Sequence, residues 1–158
     1  LIIIVNKYAK TKDKKNRNQL YKIYVSSFKY INNWNLVDVT CPHVTGKHLI
    51  DKDRTILYKW AKSEDLWTKR IAMVSTFSFI RKNDLEDTFK IAEILLHDEH
   101  DLIHKAVGWM LREAGKRDIK KEEAFLKKHY KTMPRTMLRY SIEKFPETKR
   151  QKYLKGTI

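Results

Sequence analysis

The sequence is poor in the residues that break helices, with only 4 glycines and 3 prolines among 158 residues. Lysine, leucine, isoleucine and glutamate, which favour or tolerate helices, are abundant in the rest of the chain. This composition excludes a disordered or turn-rich chain. It predicts an all-α protein.

The chain also lacks cysteine pairs, long apolar runs and a recognisable leader. Cys41 is the only cysteine, which excludes an internal disulfide and suits a reducing cytosol. No apolar run approaches the roughly 20 residues that span a bilayer, so no membrane span is predicted. The apolar start at residues 1–5 has neither a basic leader nor a small-residue cleavage site, so it does not resemble a signal peptide. We therefore expect a cytoplasmic protein.

What the sequence has in excess is positive charge. Lysine and arginine number 34 against 19 aspartates and glutamates, which gives a net charge of +15 and a pI near 9.8. Residues 112–155 contain 15 basic and 6 acidic residues, and a second basic group lies at residues 10–17. A charge balance this far from neutral favours nucleic acid or another anionic surface as the partner.

Apolar periodicity and capping residues divide the chain into short helices. We predict a helix end at residues 1–8, a lysine-rich loop at 10–16, and helices over 18–31, 54–61, 66–80, 85–96, 102–114, 119–129, 134–144 and 145–156. A further helix begins at Trp34 and should be kinked or opened at Pro42, whose ring excludes the normal backbone bond. Short turns make neighbouring helices antiparallel, which predicts an α-solenoid of HEAT-like helix pairs with a concave basic face, in one domain over residues 1–158.

The central candidate site residues are Trp34 and Asp38. Four positions apart in a helix, they lie about 40° apart around its axis and so share a face. The face of an aromatic ring attracts positive charge, and a carboxylate adds a full negative charge, so the pair suits a cationic ligand. In so basic a protein, such a cation would arrive on a polyanion, as an alkylated base in DNA does. The plainer alternative makes Trp34 a core anchor and Asp38 a surface charge.

Trp109 lies on the far side of its helix from the apolar stripe. It faces roughly 130° away from the centre of that stripe and shares its face with Lys105 and Arg112. An aromatic ring between two cations suits a sugar or base on the ring and phosphates on the cations. Packing of Trp109 against a neighbouring helix explains the position equally well. The stripe itself consists of Ile103, Ala106, Val107, Met110, Leu111 and Ala114.

Arg70 shows the reverse anomaly, a cation within an apolar stripe that includes Trp67 and Val74. A guanidinium in such a place needs a partner, either an internal carboxylate or a phosphate brought by a ligand. The internal carboxylate is the commoner case.

Other candidate motifs are weaker. The spacing of His97, Asp98, His100, Asp101 and His104 loosely suggests metal ligands, but a capping loop rich in histidine is commoner, and no metal site is predicted. Cys41 lies near the face of Trp34 and Asp38 without a base to activate it, so a packed small residue is expected. No glycine-rich phosphate loop or Gly-x-Ser-x-Gly motif occurs, and no cofactor is predicted.

Four stretches resemble the AlkD-like DNA alkylation repair glycosylases, which are HEAT-like α-solenoids. They are WNLVD at 34–38, WAKSEDLWTKR at 60–70, IHKAVGWMLRE at 103–113 and PRTMLRY at 134–140. The resemblance implies excision of positively charged N3- and N7-alkylated purines from double-stranded DNA. In this family the base leaves without being drawn into a pocket, unlike the usual base-flipping route. The family carries further N-terminal helices, which we expect this chain to lack.

The resemblance also implies roles for individual residues. Asp38 would be the catalytic carboxylate, which stabilises positive charge on the sugar and orients water. Trp34 and Trp109 would flank the deoxyribose of the lesion, and Arg70 would hold the backbone nearby. Further candidate DNA contacts are Lys105, Arg112, Arg135 and Arg139.

Two other functions remain open from the sequence. One is a catalytically silent DNA-binding helical repeat that recognises bent or branched DNA. The other is a helical-repeat scaffold for an acidic protein, which uses the charge but leaves the arrangement of Trp34, Asp38 and Trp109 unexplained. For the glycosylase we expect a monomer that is associated with the nucleoid.

Overall fold

The computed structural model describes all 158 residues, which form helices joined by short turns, without a β-strand. The helices are α1 (Ile2–Lys10), α2 (Lys14–Ser26), α3 (Trp34–Thr40), α4 (Lys47–Leu49), α5 (Thr55–Ala61), α6 (Leu66–Ser75), α7 (Phe77–Ile80), α8 (Glu86–Ile94), α9 (Asp101–Gly115), α10 (Ile119–His129), α11 (Arg135–Ser141) and α12 (Glu147–Lys155). Single 3₁₀ turns lie at Phe28–Tyr30 and Ile142–Lys144, and a π turn lies at Pro42–Gly46. The prediction of an all-α protein is confirmed.

Side-chain caps fix the starts of several helices. Asn33 accepts a hydrogen bond from the Asn35 N–H at 2.9 Å, and Asp65 accepts one from the Thr68 N–H at 2.7 Å. Such bonds satisfy donors that the first turn of a helix leaves free. At the other end of the chain, Gly156 terminates α12 with φ of 74°, which glycine adopts without strain.

The N-terminal helices differ from the prediction. The expected loop at 10–16 shrinks to residues 11–13, because Asp13 accepts hydrogen bonds from the N–H groups of Lys15 and Asn16 and so starts α2 early. The helix predicted to reach residue 31 stops at Ser26. There the hydroxyls of Ser26 and Ser27 donate to the carbonyl of Ile23, and the chain tightens into a 3₁₀ turn. The apolar periodicity of the sequence contains no sign of these capping hydrogen bonds, so it could not predict either helix boundary.

The stretch from Trp34 opens at Pro42, as predicted. Helix α3 ends at Thr40, and in the π turn that follows the N–H of Gly46 donates to the carbonyl of Cys41, five residues back, at 2.9 Å. Gly46 is required here by a close approach, since an added Cβ would lie 2.5 Å from the carbonyl oxygen of Ser75. The π turn therefore sits directly on the end of α6.

The predicted helix over 66–80 is wrong as a continuous element. It divides at Thr76, whose N–H and hydroxyl both bond to the carbonyl of Met73, at 3.1 and 2.7 Å. Just beyond, the hydroxyl of Ser78 donates to the carbonyl of Pro42 at 2.6 Å. The break arises from these contacts, while the apolar pattern continues across it.

The helices pack against helices that lie one to three positions away along the chain. Helix α6 packs on α3, α5 and α9, and α9 packs in turn on α8, α10 and α11. One apolar cluster extends from Tyr8 to Tyr153 and includes the whole predicted stripe of α9, every member of which is fully buried. This sequential packing is solenoid-like. No helix combines the length and the apolar character that a bilayer crossing requires.

Candidate functional site

A pocket of about 420 Å³ opens among α3, α6, α9 and α11. Its lining consists of Trp34, Asp38, Arg70, Leu102, Lys105, Trp109, Arg112 and Tyr140. The fold thus brings together six of the eight residues selected from the sequence, although they come from three helices. Arg135 and Arg139 are the two that it leaves outside the lining.

Asp38 is held by Arg70 through two parallel hydrogen bonds. Nε of Arg70 donates to Oδ1 of Asp38 at 3.0 Å, and Nη2 donates to Oδ2 at 2.8 Å. The planar fork of a guanidinium matches a carboxylate and fixes its orientation. The remaining terminal nitrogen of Arg70 donates to the carbonyl of Leu102, so that one side chain links α3, α6 and α9.

This pairing decides between the two explanations for Arg70. Its partner is internal, and the side chain of Arg70 is only 6% exposed, whereas that of Asp38 is 15% exposed. The geometry favours Arg70 as the residue that orients Asp38, and does not favour a direct contact from Arg70 to a phosphate. The carboxylate is the member of the pair that a ligand in the pocket can reach.

The two tryptophans of the pocket are held differently. Trp34, the first residue of α3, is 46% exposed, so it is not a core anchor. Trp109 is half-buried, and its ring packs against Phe77 of α7 with centroids 5.8 Å apart. Trp109 therefore packs against a neighbouring helix and lines the pocket at once.

The predicted cations of the site also differ in their surroundings. Lys105 pairs with Asp101 one turn away at 2.7 Å, and Arg112 pairs with Glu143. Arg135 and Arg139 lie one turn apart on the exposed side of α11, and neither has a carboxylate partner. The unpaired cations thus lie on α11 outside the lining, and the paired ones are part of the lining.

The sequence assigned no role to two pocket residues, Leu102 and Tyr140. Tyr140 is the aromatic one. It lies at the end of one of the family-like stretches, and 37% of its surface is exposed. Gly108 gives it room, because an added Cβ there would lie 2.5 Å from the Cβ of Tyr140. A glycine inside a strongly amphipathic helix was the available signal for this close approach.

The weaker candidates do not form sites. Nε2 of His104 lies 2.5 Å from the carbonyl of Asp98, and the carboxylate of Asp98 pairs with Lys69, also at 2.5 Å. The structure assembles no group of three potential ligands that could hold a metal ion. Cys41 is fully buried, and this burial raises the pKa of its thiol well above the usual range, so it is unsuited to be a nucleophile.

The arrangement can therefore receive a positively charged group at its surface. A fixed carboxylate offers negative charge, two indole rings offer apolar and π surface, and the surrounding cations can hold phosphates.

A family model described as DNA alkylation repair enzyme matches residues 2–145. The chain belongs to this family. The match includes every helix that lines the pocket, and the resemblance drawn from four stretches of the sequence is confirmed. Membership makes the protein an enzyme of DNA alkylation repair, with DNA as its partner. A search of curated proteins finds no match to this chain.

Proposed function

We propose that the protein is a DNA glycosylase that excises positively charged N3- and N7-alkylated purines from double-stranded DNA without flipping the base. The observation that carries this proposal is the Asp38 carboxylate, fixed by Arg70 in a pocket that Trp34 and Trp109 also line. The sequence-derived alternative of a scaffold for an acidic protein gives these residues no part.

The chemistry needs little from the enzyme because the lesion is already activated. Alkylation places a positive charge on the purine, so the base can leave with the electron pair of its glycosidic bond and requires no general acid. Positive charge then builds on the deoxyribose, where the Asp38 carboxylate and the two indole faces stabilise it. Water attacks C1′ and gives up a proton, which leaves a free base and an abasic sugar.

The openness of the site supports action on the sugar from outside the helix stack. Trp34 is nearly half exposed, and the lining offers a wall for a deoxyribose more than a closed slot for a purine. We propose that Lys105, Arg112, Arg135 and Arg139 hold phosphates around the lesion. Arg70 would orient the Asp38 carboxylate and would not contact the DNA backbone.

The same proposal includes the organisation and location of the protein. Residues 1–158 would form a single HEAT-like domain, act as a monomer and present a concave basic face to the duplex. Since DNA is the partner, we place the protein in the cytoplasm at the nucleoid.

The test is release of 7-methylguanine and 3-methyladenine from methylated duplex by the Asp38→Asn variant. We expect excision to fall by about 10²-fold or more, because the variant loses the fixed negative charge that stabilises the positive charge of the transition state. Duplex affinity should change little, and helix content should match the parent. Asp51→Asn, an exposed acid in the loop before α5, is the matched control. Excision by Asp38→Asn at the rate of the parent would remove Asp38 from the mechanism.

One observation favours a second function, the silent DNA-binding protein. The pairing with Arg70 already neutralises much of the charge on Asp38. In that case the parent would bind DNA with steep salt dependence and release no base from any alkylated substrate.

A further inference from the structure

Three cations of the N-terminal region, Lys14, Arg17 and Lys52, lie in the neighbourhood of the buried residue His48. Nζ of Lys52 lies 2.8 Å from Nε2 of His48, and Lys14 is close enough to lower the pKa of Lys52 further, beyond the effect of burial. The guanidinium of Arg17 lies 5.4 Å from the centre of the Tyr8 ring. None of the three cations has a carboxylate partner. We call these five residues the His48 cluster.

The hydrogen bonds determine the form of His48. Nζ of Lys52 lies 2.8 Å from Nε2 and 3.4 Å from Nδ1 of the ring. An ammonium group can only donate, so we assign the nearer nitrogen, Nε2, as its acceptor and place the ring proton on Nδ1. Nδ1 then donates to the hydroxyl oxygen of Tyr8, 3.1 Å away. Burial, Lys52 and Arg17 lower the pKa of His48 to about 4, so the ring is neutral at physiological pH. Tyr21 stacks on the ring at 3.9 Å and holds its plane.

This arrangement leaves hydrogen-bond donors without acceptors. Tyr8 is 3% exposed, and its hydroxyl, which accepts from His48, still has its own proton to donate. Lys52 uses one proton on His48 and one on Oδ1 of Asn18, at 3.0 Å, which leaves a third. Arg17 uses only Nε, on the carbonyl of Thr11 at 2.9 Å, so both of its terminal nitrogens are free. Three side chains of this region therefore keep unused hydrogen-bond donors, and two of the three are positively charged.

We propose that the His48 cluster binds a phosphate group and that its occupant is a backbone phosphate of DNA, outside the pocket that holds Asp38. A tetrahedral oxyanion supplies acceptors in several directions, and it relieves the repulsion among cations that lack a carboxylate. The arginine fork suits phosphate geometry, and a net charge of +15 favours a polyanion over a small acid. The proposal requires binding of undamaged DNA only, so it does not depend on base excision.

The first measurement is the salt dependence of binding to an undamaged duplex. Removal of one phosphate contact lowers the slope of log K against log salt by about 0.9. We expect this change in Arg17→Gln and in Lys52→Gln. We expect no change in Lys22→Gln, because Lys22 is an exposed lysine of α2, the helix that contains Arg17, and forms no hydrogen bond or ion pair. Lys14→Gln covers the case in which the other variants disturb the fold, because Lys14 is exposed and its side chain has no hydrogen bond.

The second measurement is a titration with inorganic phosphate, followed by NMR of the His48 ring protons, with potassium chloride at equal ionic strength as the control. We expect saturable shifts in the parent and in Lys22→Gln, and none in Lys52→Gln. If phosphate shifts the His48 ring protons but the variants leave the salt dependence of DNA binding unchanged, the site binds free phosphate and DNA is overturned as its occupant. No shifts and no slope change would overturn the site altogether. Base release by the parent is measured separately, so failure of either proposal is seen by itself.

Discussion

Gly108 of α9 lies directly against α11, where an added Cβ would come within 2.5 Å of the Cβ of Tyr140 and 2.6 Å of the carbonyl oxygen of Met137. Two helices can approach this closely only where one lacks a side chain. The approach brings Tyr140 to the same pocket as Trp109, the residue that follows Gly108. The width of the pocket therefore depends on a missing methyl group.

Gly108→Ala should lower both stability and excision. Helix propensity alone would stabilise the alanine variant by about 1 kcal/mol. Overpacking against backbone that cannot move away costs about 1–3 kcal/mol, so we expect a net loss, together with displacement of α11. Urea unfolding and a base-release assay measure the two effects. A variant as stable as the parent or more stable would show that the helices can separate freely.

Arg70→Met should destabilise the protein through the acid that it leaves behind. The side chains of the pair are 6% and 15% exposed, and removal of one partner from a buried pair costs about 3–5 kcal/mol. Most of that cost is the unpaired Asp38 carboxylate, so adding Asp38→Asn should recover part of it. Urea unfolding of the parent, the two single variants and the double variant gives the coupling energy between Arg70 and Asp38. Additive losses would mean that the pair does not interact.

Trp34→Ala and Trp109→Ala should separate function from folding. Trp34 is 46% exposed, so its removal should change the free energy of unfolding by less than about 0.5 kcal/mol while excision falls. Trp109 packs on Phe77, so Trp109→Ala should lower the free energy of unfolding by about 2 kcal/mol and should also lower excision. Tyr30→Ala, at an aromatic residue that is 71% exposed outside the pocket, is the control. Equal excision by Trp34→Ala and the parent would contradict a role for the first indole.

Glu122 should make stability fall as pH rises. It is 2% exposed, and burial, assisted by Glu123 and opposed by Arg112, raises its pKa from 4.5 to about 8. Between these values the unfolded chain has lost a proton that the folded chain keeps, so raising the pH favours unfolding. The loss occurs between about pH 4.5 and pH 8, with a slope of at most about 1.4 kcal/mol per pH unit.

The comparison for Glu122 is Glu122→Gln, which keeps the shape and removes the titration. Its urea midpoint should vary less between pH 5 and pH 8 than that of the parent. Glu64→Gln, at an exposed position, should behave like the parent. If Glu122→Gln and the parent have the same pH profile, the buried carboxyl does not control this dependence.

Part of the site could be predicted from local geometry and from the resemblance to the family. Trp34 and Asp38 share a face because of the helical period, and Trp109 shares one with Lys105 for the same reason. These relationships need no knowledge of the tertiary structure. The apolar stripe of α9 was predicted in the same way, and all of its members are buried.

Other features depend on segments that lie far apart in the chain. Asp38 and Arg70 are 32 residues apart, and the sequence could only say that Arg70 needed a partner. Burial of Glu122 and the place of Tyr140 in the pocket likewise follow from helix packing that no local pattern encodes.

The sequence by itself determined the all-α fold class, the approximate place of most helices, the buried face of α9 and the basic character of the chain, since these depend on composition and on residues within a few turns of one another. Only the tertiary structure decided which carboxylate Arg70 holds, that Trp109 packs on Phe77 while it lines the pocket, and where the helix over 66–80 breaks. The physical reason is that these outcomes depend on how closely separate helices approach, and that distance is determined by side chains on both of them.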